Sequence, residues 1–240
     1  AFAKVKAETR VIVSDLVEKG DVVILVTPID ESAPKGRIIL PQQMTLRELL
    51  DSNCTAIVCQ PAELQSTVNS LKNKPKLVIT DSQVFGFVSK ALPDDIPLTS
   101  FSILMARYKG DLETLVNGAV ALKETKDGDK ILISEGCTHH RQCNDIGTVK
   151  IPDWIRGYTN AEPEFCFTSG GEFPRDLEGI SLVVHCGGCM LNEKEMKSRM
   201  DFCRESKTPI VNYGVAIAAM NGILKRSLEI FPDLLNKINL

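Results

Sequence analysis

The sequence predicts an α/β protein of two lobes, each a mostly parallel sheet flanked by helices. Short, continuous apolar runs recur along the chain, and segments of helical spacing lie between them. The connections are brief, which suits strand–helix–strand crossovers. Aromatic residues make up 5% of the 240 positions while 43% are hydrophobic, so the core is aliphatic. That composition fits alternating helices and strands better than a β-sandwich.

Residues 4–19 carry apolar side chains at helical spacing and end at Gly20, which predicts an opening helix. Asp21 to Thr27 reads as a buried strand stopped by Pro28. A loop rich in Pro, Ala and Gly then leads to a helix over Gln42 to Asp51. Thr55 to Cys59 predicts the next strand, and Pro61 opens a helix at its first position. Lys76 to Thr80 predicts a third strand, and a helix follows over Gln83 to Leu92. The segment Pro93 to Pro97, with two prolines and two acids, reads as the domain boundary. The expected lobes are therefore 1–97 and 98–240.

In the second lobe, residues 100–123 predict two helices hinged near Gly110. Strands are expected at Lys130 to Ser134, Glu164 to Thr168, Ile180 to Val184 and Pro209 to Val211. Helices are expected around Pro152 to Gly157, Asn192 to Ser206 and Tyr213 to Phe231. The lone Trp154 is expected to anchor the first of these by packing.

A net charge of -3 with no basic stripe or polybasic cluster argues against nucleic acid and against a membrane surface. No apolar run approaches the ~18 residues of a membrane span, and the first ten residues do not resemble a signal peptide. A cytoplasmic protein is the expectation. In a reducing compartment its eight cysteines read as metal-binding or redox residues more readily than as disulfides.

Two loops concentrate the chemistry. Cys137, His139 and His140 directly follow one predicted strand, and His185, Cys186 and Cys189 directly follow another. In a parallel sheet both loops leave the carboxyl ends of their strands, so they lie on the same side. All three histidines of the chain fall in these loops. Three thiolates suit zinc or an iron–sulfur cluster. Gly187 and Gly188 give the backbone room to curl around a bulky group. A 4Fe-4S cluster on Cys137, Cys186 and Cys189 leaves one iron to a weaker, exchangeable ligand. Candidates for that position are His139, then Cys143, then a carboxylate such as Glu135 or Asp145, with His185 also adjacent. Cys54, Cys59, Cys166 and Cys203 lie in apolar segments and read as buried small hydrophobes.

The pattern Cys137-x-His139 followed, after residues 140–184, by His185-Cys186-x-x-Cys189 resembles that of the FeFe-hydrogenase maturation GTPases, the HydF family. Supporting stretches are Leu25 to Asp30, Ala33 to Pro41, Ile79 to Ser82 and Glu135 to His140, and the resemblance covers essentially all 240 residues. It implies a 4Fe-4S cluster on the three cysteines and a homodimer formed through the first lobe. It also implies service as scaffold or carrier for a transient di-iron precursor. The implied partners are the FeFe-hydrogenase apoprotein and two radical-SAM maturases. That family also carries a GTPase domain, yet no G-x-x-x-x-G-K-[ST] phosphate loop occurs in these residues. The sequence thus reads as a fragment of the family chain, GTP enters only through the missing domain, and no catalytic residue is assigned here. Two other readings stay open from spacing alone. One is a structural Cys₃His zinc module, and the other a thiol oxidoreductase acting through Cys186 and Cys189.

Overall fold

The structure, a computed structural model, describes residues 10–29, 36, 38–136, 145–188 and 191–238. Its first lobe runs β1 (Val22–Val26), α1 (Leu40–Asp51), β2 (Thr55–Cys59), α2 (Leu64–Ser70), β3 (Leu77–Thr80), α3 (Phe85–Ala91), β4 (Leu98–Ser100) and α4 (Phe101–Lys109). The four strands are all parallel, in the order β2-β1-β3-β4. The second lobe runs α5 (Leu112–Lys123), β5 (Lys130–Glu135), α6 (Ile151–Thr159), β6 (Glu164–Ser169), β7 (Leu182–His185), α7 (Glu193–Glu205), β8 (Ile210–Asn212), α8 (Tyr213–Met220), α9 (Leu224–Leu228) and α10 (Pro232–Lys237). Its strands are again all parallel, in the order β6-β5-β7-β8.

Central strands of such a sheet are covered on both faces, which is why β1, β3, β5 and β7 read as unbroken Val/Ile/Leu runs and are almost wholly buried. The edge strands β2 and β6 have mixed exposure, with Val58 and Phe167 partly open to solvent. Side-chain caps start the helices that face these sheets. Asp111 accepts from the Thr114 amide at 3.2 Å, Asn192 from Glu195 at 2.9 Å, and Asn212 from Val215 at 2.8 Å. The buried apolar side chains of α5 (Leu112, Leu115, Val116, Ala119 and Leu122) fall on one stripe at helical spacing, with Gly118 buried beside them.

Three local expectations change. Residues 10–19 do not form a helix; they hold a single 3₁₀ turn at Ser14–Leu16. The amides of Ile12, Val13 and Ser14, which a helix interior would use, all donate to the Glu48 carboxylate at 2.8–3.1 Å. Ile12 and Val13 are both buried as neighbours, and Arg107 donates to the Ile12 carbonyl at 2.7 Å, so the segment lies pinned on the first lobe. Residues 4–9 of that expected helix lie outside the described residues. The Pro93–Pro97 segment is the turn into β4, which pairs with β3. Phe101, Leu104 and Met105 of α4 then pack with Leu25, Leu49 and Ile79, so the first lobe continues to Lys109. Trp154 is 39% exposed; Ile151 and Ile155, both at 0%, anchor α6 instead.

One apolar core runs through both lobes, from Phe85, Val88 and Leu98 through Ile103 and Leu115 to Val183 and Val215. Among the described residues no helix is long and apolar enough to cross a membrane.

Candidate metal centre

In an open parallel sheet, ligands collect where the strand order reverses, outside the carboxyl ends. In the second lobe that point lies between β5 and β7, because the chain leaves β5 toward one edge and β7 toward the other. The two strands are direct neighbours, with Ser134 opposite His185. The pairing continues one residue further, as the Cys186 amide donates to the Ser134 carbonyl at 2.8 Å. The segment that enters Cys137 and the segment that begins at Cys186 therefore start side by side.

Cys186 is half-buried, and its sulfur is met by two backbone donors. The Gly136 amide lies 3.0 Å from Sγ and the Gly188 amide 3.4 Å from it. Amide donors aimed at a sulfur favour its thiolate form, the form that ligates metal. Glycine is required at both donors for different reasons. A Cβ at Gly136 would stand 2.6 Å from Leu191 Cδ1, so a side chain there would push the two loops apart. Gly188 has φ +59°, and a Cβ on it would lie 2.6 Å from Met196 Sδ. Gly187 is exposed with open space around it. Gly136 and Gly188 thus permit the close approach of Leu191 and Met196 to this backbone.

His185 ends β7 and is wholly buried. Its Nε2 lies 3.0 Å from Nη1 of Arg199, and its Nδ1 lies 2.7 Å from the Cys186 carbonyl oxygen. A guanidinium can only donate, so Nε2 accepts and Nδ1–H donates to the carbonyl. Burial first, then the Arg199 charge, holds this imidazole down to about 4 and so neutral. Both ring nitrogens are engaged in this arrangement, and the ring fixes the Cys186 peptide. Arg199 is 3% exposed, pairs with Glu195 at 2.9 Å, donates to the Gly170 carbonyl at 3.0 Å and lies 5.0 Å over the Phe173 ring. Sequence reasoning passed over this arginine. The signal was present: Arg199 falls on the stripe of Met196, Met200 and Cys203, where a surface cation does not belong.

Two buried carboxylates, Glu135 and Asp145, belong to this end of the sheet. Glu135 closes β5 with 3% exposure and accepts from the Tyr213 hydroxyl at 3.4 Å, while burial pushes that phenol upward. Asp145 is buried, and its Oδ2 accepts from the Gly147 and Thr148 amides at 3.1 and 2.9 Å and from the Thr148 hydroxyl at 3.0 Å. It thereby caps the π turn Ile146–Lys150, a geometry found often beside functional sites.

Cys137, His139, His140, Cys143 and Cys189 lie outside the described residues. Among the described residues, no three His, Cys, Asp or Glu side chains gather closely enough to hold a metal ion. The other described cysteines are free thiols. Cys54, Cys59 and Cys203 are buried, Cys166 is half-buried, and burial raises all four, Cys203 to about 12. Cys203 has only apolar surroundings to recommend it as a small hydrophobe. Cys186 differs from these four in having two backbone amides directed at its sulfur, the kind of donor set that favours a thiolate ligand.

The class the structure defines is an α/β protein of two all-parallel four-stranded lobes, the second presenting a cysteine whose sulfur faces two backbone amides at the switch point of its sheet. Comparison with known families is specific. The model described as hydrogen maturase F dimerization domain matches residues 12–110, and the hydrogen maturase F tetramerization domain matches residues 113–230. The chain belongs to the hydrogen maturase F family, and its role lies in hydrogenase maturation. No curated protein matches it. A solved structure described as an NtrC family transcriptional regulator from Clostridium acetobutylicum aligns at 12% identity, with TM-score 0.28, over 89% of this chain and 98% of its own. A likeness that distant carries no argument about fold or function.

Proposed function

We propose that the second lobe holds a 4Fe-4S cluster through Cys137, Cys186 and Cys189, with one iron exchangeable, and hands a di-iron precursor to the FeFe-hydrogenase apoprotein. The observation that carries this reading is the cradle on Cys186, with Gly136 and Gly188 amides at 3.0 and 3.4 Å from its sulfur at the switch point of the sheet. When bound, such a cluster supplies an iron whose fourth ligand can be displaced by an incoming group.

The chain's own residues do the rest. The two amides point at the Cys186 sulfur, and Gly188, at φ +59°, turns the chain just after the cysteine. His185, backed by Arg199, locks the Cys186 peptide so that the sulfur keeps its direction. Release of cargo needs weak coordination at the fourth position, which favours His139 or a carboxylate there over a fourth thiolate from Cys143. The protein works as a homo-oligomer, and the dimerization model over residues 12–110 supports contact through the first lobe. The radical-SAM maturases are the sources of the cargo in this reading.

The test is EPR of the reduced, anaerobically reconstituted protein with and without imidazole or cyanide. A changed spectrum on addition is the expected result. A cluster whose spectrum ignores both ligands would refute the exchangeable iron.

A further inference from the structure

The loop that begins at Cys186 is tied down from the other lobe. Lys109, the last residue of α4, places Nζ 2.9 Å from the Gly188 carbonyl and 3.0 Å from the Leu191 carbonyl. These two carbonyls bracket positions 189 and 190. Bonds from an ammonium are charge-assisted and roughly twice as strong as neutral ones. Lys109 is half-buried at the C-terminal end of its helix, where unpaired carbonyls favour a cation, so its charge is held in place from both sides. The next residue, Gly110, carries the chain into the second lobe.

A second cationic clamp joins the lobes elsewhere. Arg226, in α9 of the second lobe, donates to the Ser89, Leu92 and Pro93 carbonyls at 2.7, 3.1 and 2.7 Å. Among the described residues, its partners Ser89, Leu92, Pro93 and Asp94 all lie away from the loops that leave β5 and β7. Lys109 is thus a cross-lobe clamp that ends on the candidate metal loop, and Arg226 is one whose described partners lie elsewhere. This pair of clamps separates the effect of joining the lobes from the effect of holding the loop.

We infer that Lys109 is a positioning residue that latches the Cys186–Cys189 loop to the first lobe, so that a shift between lobes reaches this loop directly. The consequence for metal binding rests on the cluster reading given above. In metal-free protein the latch limits opening of the loop. In loaded protein it limits loss of iron, and its positive charge favours the reduced, more negative state of the group held there.

The experiment uses the full chain as Lys109→Met, Lys109→Gln, Lys109→Arg and Arg226→Met. Hydrogen exchange of the peptide spanning residues 185–192, measured without metal, is expected to quicken about tenfold in Lys109→Met and Lys109→Gln. Lys109→Arg, which keeps charge and donors, is expected to stay near the parent, and Arg226→Met is expected to leave this peptide unchanged. After anaerobic reconstitution, the same two neutral variants lose iron to a chelator about tenfold faster, and their reduction potential falls. Unchanged exchange in both neutral variants overturns the latch. So does an equal change in Arg226→Met, which would reduce Lys109 to general support of the interface. A parent protein that takes up no iron and sulfide would refute the cluster reading instead, and the exchange result would still decide the latch.

Discussion

The two lobes are built to one plan and finished differently. Both sheets are parallel with the same order: the first strand of each lobe stands second from one edge, its second strand forms that edge, and the third and fourth are added on the other side. Val26 faces Thr80 in the first lobe as Ser134 faces His185 in the second. Even the bond past the last pair repeats: the Asp81 amide donates to Val26 O at 3.3 Å, and the Cys186 amide to Ser134 O at 2.8 Å. Asp81 uses its side chain to cap the turn that follows, accepting from the Gln83 amide at 3.0 Å. Cys186 accepts from the Gly188 amide in the same i to i+2 relation, but its acceptor is a sulfur, which the Gly136 amide at the end of β5 also meets, and the chain turns through Gly188. The same switch point thus starts a helical turn with a carboxylate in one lobe and presents a sulfur in the other. Fold sets where a site can be, and a few residues at the strand ends decide whether there is one.

The largest effect should come from removing that difference. Cys186→Ala is expected to abolish iron and sulfide uptake, while Asp81→Ala keeps the metal content of the parent and loses only about 1 kcal/mol of stability with its cap. Metal analysis and urea unfolding of the two variants check this. Equal metal loss in both would make the lobes alike in a way the structure denies.

A smaller effect tests how the sulfur is held. Arg199→Met leaves His185 Nε2 buried without its donor, which is expected to cost about 1–3 kcal/mol in urea unfolding. The corresponding position in the first lobe, Thr80, has no buried arginine behind it among its described partners, so no such sensitivity is expected there. Smaller again is the contrast within one loop. Gly188→Ala must place a side chain at φ +59° against Met196, at about 1–2 kcal/mol, while Gly187→Ala stays within about 0.5 kcal/mol. Equal effects of the two substitutions would contradict the turn described here.

Much of this was legible in the chain. The apolar runs at Asp21 to Thr27, Lys76 to Thr80 and Ile180 to Val184 predicted buried parallel strands, and the loops expected after Ser134 and Val184 were read as lying on the same side of the sheet. What escaped reading was decided by partners distant in sequence. Residues 10–19 have helical spacing, yet Glu48 takes their amides, and spacing cannot foresee that. Leu98–Ser100 was hidden by the prolines before it, because a three-residue edge strand leaves almost no periodic signal. Gly136 could not be seen to matter until Leu191 was found against it. Arg199 was readable as a cation on an apolar stripe, but its meeting with His185 needs the strand and helix in place. Of the expected ligands, Cys186 and His185 are described, whereas Cys137, His139, Cys143 and Cys189 lie outside the described residues.

The most direct test of a cluster on this second lobe is metal and sulfide analysis of the anaerobically reconstituted chain, read with its visible spectrum. About four irons and four sulfides per chain, with a broad brown absorption, is the predicted result. Zinc without sulfide, or no metal at all, would contradict it.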